Sequence, residues 1–307
     1  MTATELYATA TTQGAVIDLS ARARWQLTGA DRVRYLNGQV TRDVKKLAVG
    51  KTSLACVLDV KGKLCGDVWI STGADFLRLD AETSLRESLG MRLERYIIAD
   101  DAVLEDVTES TRQFHVLAPG KINLPDSVSW LENNRFGFPG FDCFCSAAEA
   151  EPLLSQLTAG LPLLEAGSEV LESIRLEHGI PRWEAELKPE TLPAEAGLDL
   201  TAIDFAKGCY LGQEIVSRIK SVGHVNRSLS GFIPLDGEPL APGTMLFADP
   251  TAERESAVIT SSGWSFALSR PIALGYLRRG TAGPLLHSRA DGPAAREVEI
   301  RPLPFVP

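Results

Sequence analysis

The residues best placed to do chemistry form the run Lys207-Gly208-Cys209-Tyr210-Leu211-Gly212-Gln213-Glu214, which continues through Arg218 to Arg227. Ile215, Val216 and Ile219 recur at spacings of three and four and the pattern stops before Gly223, which predicts a helix from Gln213. Cys209 then lies about one turn ahead of free backbone N–H groups, two residues from Lys207, with Gly208 and Gly212 allowing close backbone approach. Helix dipole and nearby cation both favour thiolate over thiol, so one reading is a reactive cysteine. The other is a small buried apolar residue, the common fate of a free cysteine. Between residues 207 and 228, Lys207, Arg218, Lys220 and Arg227 stand against Glu214 and leave +3, whereas the whole chain carries −9. A local cationic patch on an acidic protein suits a small anionic ligand such as a carboxylate tail; a nucleic-acid backbone calls for a broadly basic domain. A solvated helix face is the competing explanation.

A chain of 307 residues exceeds the size at which one core keeps growing, so two or three subdomains are expected. Hydrophobic content of 44%, 23% charged residues and a mean hydropathy near zero are those of a globular protein. Met1 to Leu19 lacks a basic start and a continuous apolar run, and no segment approaches the ~20 apolar residues that span a bilayer. The expectation is a cytoplasmic protein without membrane or nucleic-acid partners. Cys56, Cys65, Cys143, Cys145 and Cys209 include no C-x-x-C pair, and His115, His178, His224 and His287 fall at no metal-ligand spacing. Reduced thiols and no dedicated metal site are expected.

Three strands are expected at 53–60, 64–71 and 75–80, divided by the glycine turns at Gly62 and Gly73. Alternation puts Asp67 on the face of Cys65 and Trp69, where an acid needs either solvent or a partner. Ser84 with Glu87 reads as a capping box opening a helix striped by Leu85, Leu89 and Leu93, and Asp31 as the cap of a short helix before Gly38. Helices are also expected over 149–157 and 168–178, the second stopped by Gly179. The long, proline-broken stretch after it, with Trp183 inside, is expected to be a functional loop. From Ser228 onward, five short apolar runs at 228–235, 244–247, 257–260, 272–277 and 298–301 suggest a small antiparallel barrel, with a boundary near Asn226.

The run from Lys207 to Arg218 resembles the signature of the YgfZ-type folate-binding proteins, relatives of the glycine cleavage system T protein that act in iron–sulfur cluster maintenance. Similar stretches cover most of the chain. They are Leu27-Thr28-Gly29-Ala30-Asp31 through Val44, Ile174 to Arg182, Leu192 to Leu198, Ala273 to Tyr276, and the tail Pro304 to Pro307. The resemblance implies an α+β fold. Two interleaved subdomains (residues 1–226) would surround a central channel holding tetrahydrofolate or a one-carbon-substituted form, closed by a β-barrel (227–307). It implies that Asp67 lies near the folate nitrogen receiving the one-carbon unit and that Glu177 holds the pterin by two N–H bonds. Trp183, Arg218 and Arg227 complete the expected folate-binding set, the arginines by charge and proximity to the motif. Cys209, Asp67 and Lys207 are the candidates for chemistry, and iron–sulfur client or assembly proteins the implied partners. Two departures matter. T proteins carry two adjacent acids where this chain has Gly66-Asp67, and they lack the cysteine. The first counts against one-carbon transfer and the second favours the YgfZ type, so accessory protein and folate-dependent aminomethyl- or methyltransferase stand as alternatives. A thiol hydrolase using His224 as base is the weakest, because that histidine follows the helix end.

Overall fold

Alternation of apolar and polar residues up to Leu164 builds two sheets whose strands are interleaved along the chain. The structure is a computed structural model that describes residues 1–289 and 295–306; Pro307, the last residue of the tail quoted above, lies outside them. After α1 (Ala3–Thr12), β1 (Ala15–Asp18) belongs to one sheet, and β2 (Ala23–Thr28) to the other. The β2 sheet is completed by β3 (Thr52–Leu58), β4 (Leu64–Thr72), β5 (Leu77–Ala81) and β6 (Val103–Asp106), in the order β3-β4-β5-β2-β6. The chain then returns to the β1 sheet through β7 (Thr111–Leu117), β8 (Leu131–Asn133), β9 (Gly140–Ser146) and β10 (Leu163–Leu164), in the order β10-β1-β7-β9-β8.

Each sheet is packed according to its period-two pattern. On the β2 sheet, Val68, Ile70, Leu77 and Leu79 are buried in one cluster with Leu36 of α2 (Arg32–Gln39) and with Leu89 and Leu93 of α3 (Arg86–Glu94). A side-chain carbon at Gly66 would sit 3.1 Å from Leu85 in the turn before α3 and 3.2 Å from Leu89 of α3, so close packing there favours the glycine. The opposite face, with Asp67, Trp69, Arg78 and Asp80, turns toward the β1 sheet. That sheet presents Gln113, His115 and Asp142 to it and packs its other face on Leu153 and Leu157 of α4 (Ala150–Thr158). The helix α5 (Glu169–Glu177) is capped by the Ser168 hydroxyl, which accepts from the Leu171 N–H, and lies beside α1.

After α6 (Leu198–Thr201) and α7 (Gln213–Val222), the chain closes a barrel of β11 (Arg227–Pro234), β12 (Met245–Phe247), β13 (Ala257–Ser265), β14 (Arg270–Arg278), β15 (Leu285–Ser288) and β16 (Arg296–Arg301). Among the described residues it has six strands where the sequence suggests five, because β15 is only four residues long, too short to show an alternating pattern. Two further expectations are corrected. The helix α3 starts at Arg86 after a 3-10 turn at Thr83–Leu85, and no side chain caps it, so Ser84 and Glu87 form no capping box. A bulge in the β3–β4 ladder skips Cys65, and its thiol lies beside Arg92 of α3, off the Asp67 face.

Candidate functional site

The cysteine motif is held from three sides. Lys207 is 7% exposed, and its ammonium donates to the carbonyls of Asn37 (2.6 Å), Val40 (2.6 Å) and Arg42 (2.9 Å) at the end of α2, 4.9 Å from the Tyr210 ring centroid. All three N–H donors are thus spent on backbone. Burial pushes Lys207 down to about 8, with Asp43 and Asp204 pulling the other way. The lysine is a clamp on the carbonyl end of α2, and the sequence-based expectation that it lends its charge to the thiol finds no support in that geometry. Leu211 N–H donates to Gly38 (3.2 Å). Gly212 has φ +83°, and a side-chain carbon there would stand 2.5 Å from the Asp59 carbonyl. Gly208 faces open space, so only one of the two glycines is needed for close approach.

Cys209 is exposed, whereas Cys56 and Cys143 are buried and Cys65 and Cys145 partly so. It precedes α7, whose first residue is Gln213 as expected; Glu214 and Arg218 point to solvent. Tyr210 is buried in the main core. Burial raises it to about 12, and Cys56, the β3 residue paired with Asp67, adds to the rise.

Asp67 is partly buried, and its Oδ1 is shielded from water without a hydrogen-bond partner. Burial raises its carboxyl to about 6, with Arg22 opposing and Glu82 and Asp80 reinforcing the shift. Around it the two sheets meet through charge. Arg135 makes two bonds to Asp80 (2.9 and 2.8 Å) and one to Asp142 (2.6 Å), and His115 Nδ1 lies 2.8 Å from Asp142. Arg22 bonds Asp80 and Glu82 at 2.6 Å each, and the Arg135 guanidinium stacks 4.5 Å from the centroid of Trp69. Burial alone works to raise Asp142, but Arg135 and His115 hold it far below the usual carboxylate range. Sequence reasoning missed Arg22, Asp80, Arg135 and Asp142. The only signal was an acid at an inward position of β5, since Arg135 comes from a loop whose target no local pattern reveals.

Glu177 is fully buried, but its carboxylate is already filled. It accepts from Tyr7 OH (2.6 Å), Ser173 Oγ (3.0 Å), Ser265 Oγ (2.7 Å) and the Ala267 N–H (3.0 Å), tying α1 and α5 to the β13–β14 turn. Trp183 is 8% exposed and packed in the main core with Leu187. Arg227 lies 4.3 Å over the Tyr276 ring and 3.1 Å from Glu195. Arg227 lines a cleft of about 440 Å³ against the barrel. A second cleft, of about 280 Å³, lies along α7 between Phe205 and Val225. Neither is lined by Asp67 or Glu177, so the expected single cavity walled by both acids is not among these two. Among the described residues no group of His, Cys, Asp and Glu is arranged to hold a metal ion, and no helix is long and apolar enough to cross a membrane.

Interleaved sheets closed by a barrel define a class of proteins. The GCVT N-terminal domain family matches residues 2–139. The fold superposes on the glycine cleavage system aminomethyltransferase T from Bartonella henselae with a TM-score of 0.84, at 18% identity, over 99% of this chain and 89% of that one. Within that class the chain belongs to the YgfZ family. It is 30% identical over 248 residues to the tRNA-modifying protein YgfZ of Yersinia pseudotuberculosis serotype O:1b, covering 73% of this chain and 74% of the relative. The Yersinia pestis protein of the same name is 28% identical over 247 residues (73% and 74% of the two chains). A putative chloroplastic transferase of Arabidopsis thaliana is 27% identical over 300 residues, 87% of this chain and 66% of that one.

Proposed function

We propose that this protein binds a reduced folate against Asp67 and presents Cys209 as a surface thiol in the maintenance of iron–sulfur proteins, among them enzymes of tRNA modification. The observation that carries the folate contact is the shielded, unpartnered Oδ1 of Asp67. A buried acceptor without a donor is unfavourable by roughly 1–3 kcal/mol, which a ligand N–H relieves. The residues therefore fit tetrahydrofolate at Asp67. They fit it less well at Glu177, where four protein donors occupy the carboxylate. When bound, the folate supplies the nitrogens that carry a one-carbon unit; the chain supplies the acceptor, the dry inner face of the sheet and the cations around it. The fold shared with an aminomethyltransferase and the tRNA-modifying name of the Yersinia relatives support this reading. A single thiol cannot house a cluster that takes four. Cys209, exposed on a loop locked by Lys207, suits transient sulfur ligation or exchange with a partner's thiol.

Replacing Cys209 by serine should leave folding and tetrahydrofolate binding unchanged but fail to restore iron–sulfur enzyme activity and tRNA modification in a strain lacking the gene. Full restoration would remove the cysteine from the function. Absence of tetrahydrofolate binding by the wild-type protein in a calorimetric titration would remove the folate.

A transferase is the second reading, favoured by the carboxyl of Asp67 held near 6, where it can exchange a proton close to neutrality. Methylene-tetrahydrofolate formation in a glycine cleavage assay, lost in Asp67→Asn, supports it; none from the wild type ends it.

A further inference from the structure

The thiol loop is fastened to the sheet through one residue. β3 is the edge strand of the β2 sheet, and the chain after α2 closes its outer edge. There the Thr41 N–H donates to the Cys56 carbonyl (3.0 Å), and the Thr41 hydroxyl accepts from the Cys56 N–H (2.8 Å). A strand residue sends its N–H and C=O to the same side, so Cys56 gives neither to β4. Its partner on β4 is Asp67. The two therefore form a non-hydrogen-bonded pair, with Cα atoms about 4.5 Å apart and side chains at their closest. At the row that carries Asp67, β3 is thus held from outside, by Thr41.

Thr41 is fully buried and reaches the motif with its remaining groups. Its hydroxyl donates to the Ala202 carbonyl (2.6 Å), and its carbonyl accepts from the Asp204 N–H (3.1 Å), on the chain leading into Lys207. Lys207 in turn bonds the carbonyls of Val40 and Arg42, the two neighbours of Thr41. One residue thus joins the strand opposite Asp67 to the chain that carries Lys207 and Cys209. We infer that Thr41 is a positioning residue that couples the folate site to the Cys209 loop, so that folate bound at Asp67 holds the loop in its fastened state. The inference rests on the folate reading above. The element with two states is the segment from Val40 to Arg42, closed on the edge of β3 or peeled from it, a local opening that costs less than unfolding. With the segment peeled off, Cys56 loses both backbone partners and the wall beside Asp67 loosens. A ligand that binds the closed row better than the loosened one shifts the segment toward closure, and Lys207 and the loop with it.

Amide hydrogen exchange of the full-length protein, with and without saturating tetrahydrofolate, tests this. The reporter is the Leu211 N–H, which the loop donates to the Gly38 carbonyl, and the reference is the Ile259 N–H, bonded to the Thr244 carbonyl within the barrel. Folate should slow exchange at Leu211 about fivefold in the wild type, with no comparable change at Ile259. The Thr41 amide should slow by the same factor as Leu211. Thr41→Val, which keeps the shape without the hydroxyl, should abolish the slowing at Leu211, and Thr41→Ser, which keeps the hydroxyl, should retain it. A Leu211 rate unchanged by bound folate, equal slowing at Leu211 and Ile259, or slowing of Thr41 without Leu211 overturns the coupling on the wild type alone, whether or not the valine variant folds. Slowing that persists in Thr41→Val or vanishes in Thr41→Ser overturns the role of the hydroxyl. Each of these leaves folate binding standing. No calorimetric binding of tetrahydrofolate by the wild type overturns the folate reading and the coupling with it.

Discussion

Asp67→Asn should stabilise the folded protein at neutral pH even though it removes the proposed folate acceptor. Burial moves the Asp67 carboxyl from 3.8 to about 6, roughly two units, which at 1.36 kcal/mol per unit amounts to about 3 kcal/mol. The sign follows from linkage. An acid whose folded pKa is raised is protonated more readily in the native state, so above pH 6 its charge opposes folding. That penalty is fully present at pH 7.5, shrinks between pH 6 and 4, and vanishes below the unfolded value, where both states hold the proton. Asparagine keeps the shape without the charge but brings an N–H₂ group that needs a partner, an offset of about 1 kcal/mol. Partial exposure screens the rest, leaving a net gain of about 1–2 kcal/mol. Urea unfolding of both proteins at pH 7.5 and pH 4, without folate, measures it. A loss of stability at pH 7.5, or a difference that does not change with pH, would refute the claim that Asp67 is a carboxylate with a shielded, unpartnered oxygen.

Two further substitutions separate structural from ligand roles. Glu177→Ala strands four donors, of which Ser173 and Ser265 are buried, and should lower stability by about 3–5 kcal/mol in ligand-free protein, read from the urea midpoint; unchanged stability with weakened tetrahydrofolate binding would return Glu177 to the pterin. Lys207→Met leaves three carbonyls at the end of α2 without their donor and should destabilise by about 2–4 kcal/mol, with faster amide exchange at Gly38 to Arg42; slowed modification of Cys209 with no loss of stability would mean that the lysine acts on the thiol instead.

Much of the architecture was legible because it follows from local pattern. The β3–β4–β5 meander, the helix from Gln213, and α5 between Ser168 and Gly179 are each written in apolar spacing and glycine or cap signals. Where the pattern misled, a neighbour had intervened. Strict alternation failed at Cys65 because a bulge inserts one residue into β4. The capping box failed because Thr83–Leu85 closes a 3-10 turn first. The helix α1 went unread because its threonine-rich face gives little apolar period, although Thr2 and Glu5 do form a capping box there.

The sequence by itself determined the motif loop, the family resemblance it carries and the local elements named above, since these depend on residue type and short-range spacing. Only the tertiary structure decided what each charged group meets. It gave Lys207 to the carbonyls of α2 and Glu177 to four donors from α1, α5 and the barrel, while the Oδ1 of Asp67 was left without a partner. A buried charge is satisfied by groups distant in the chain, and local spacing carries no record of which of them fold back to reach it.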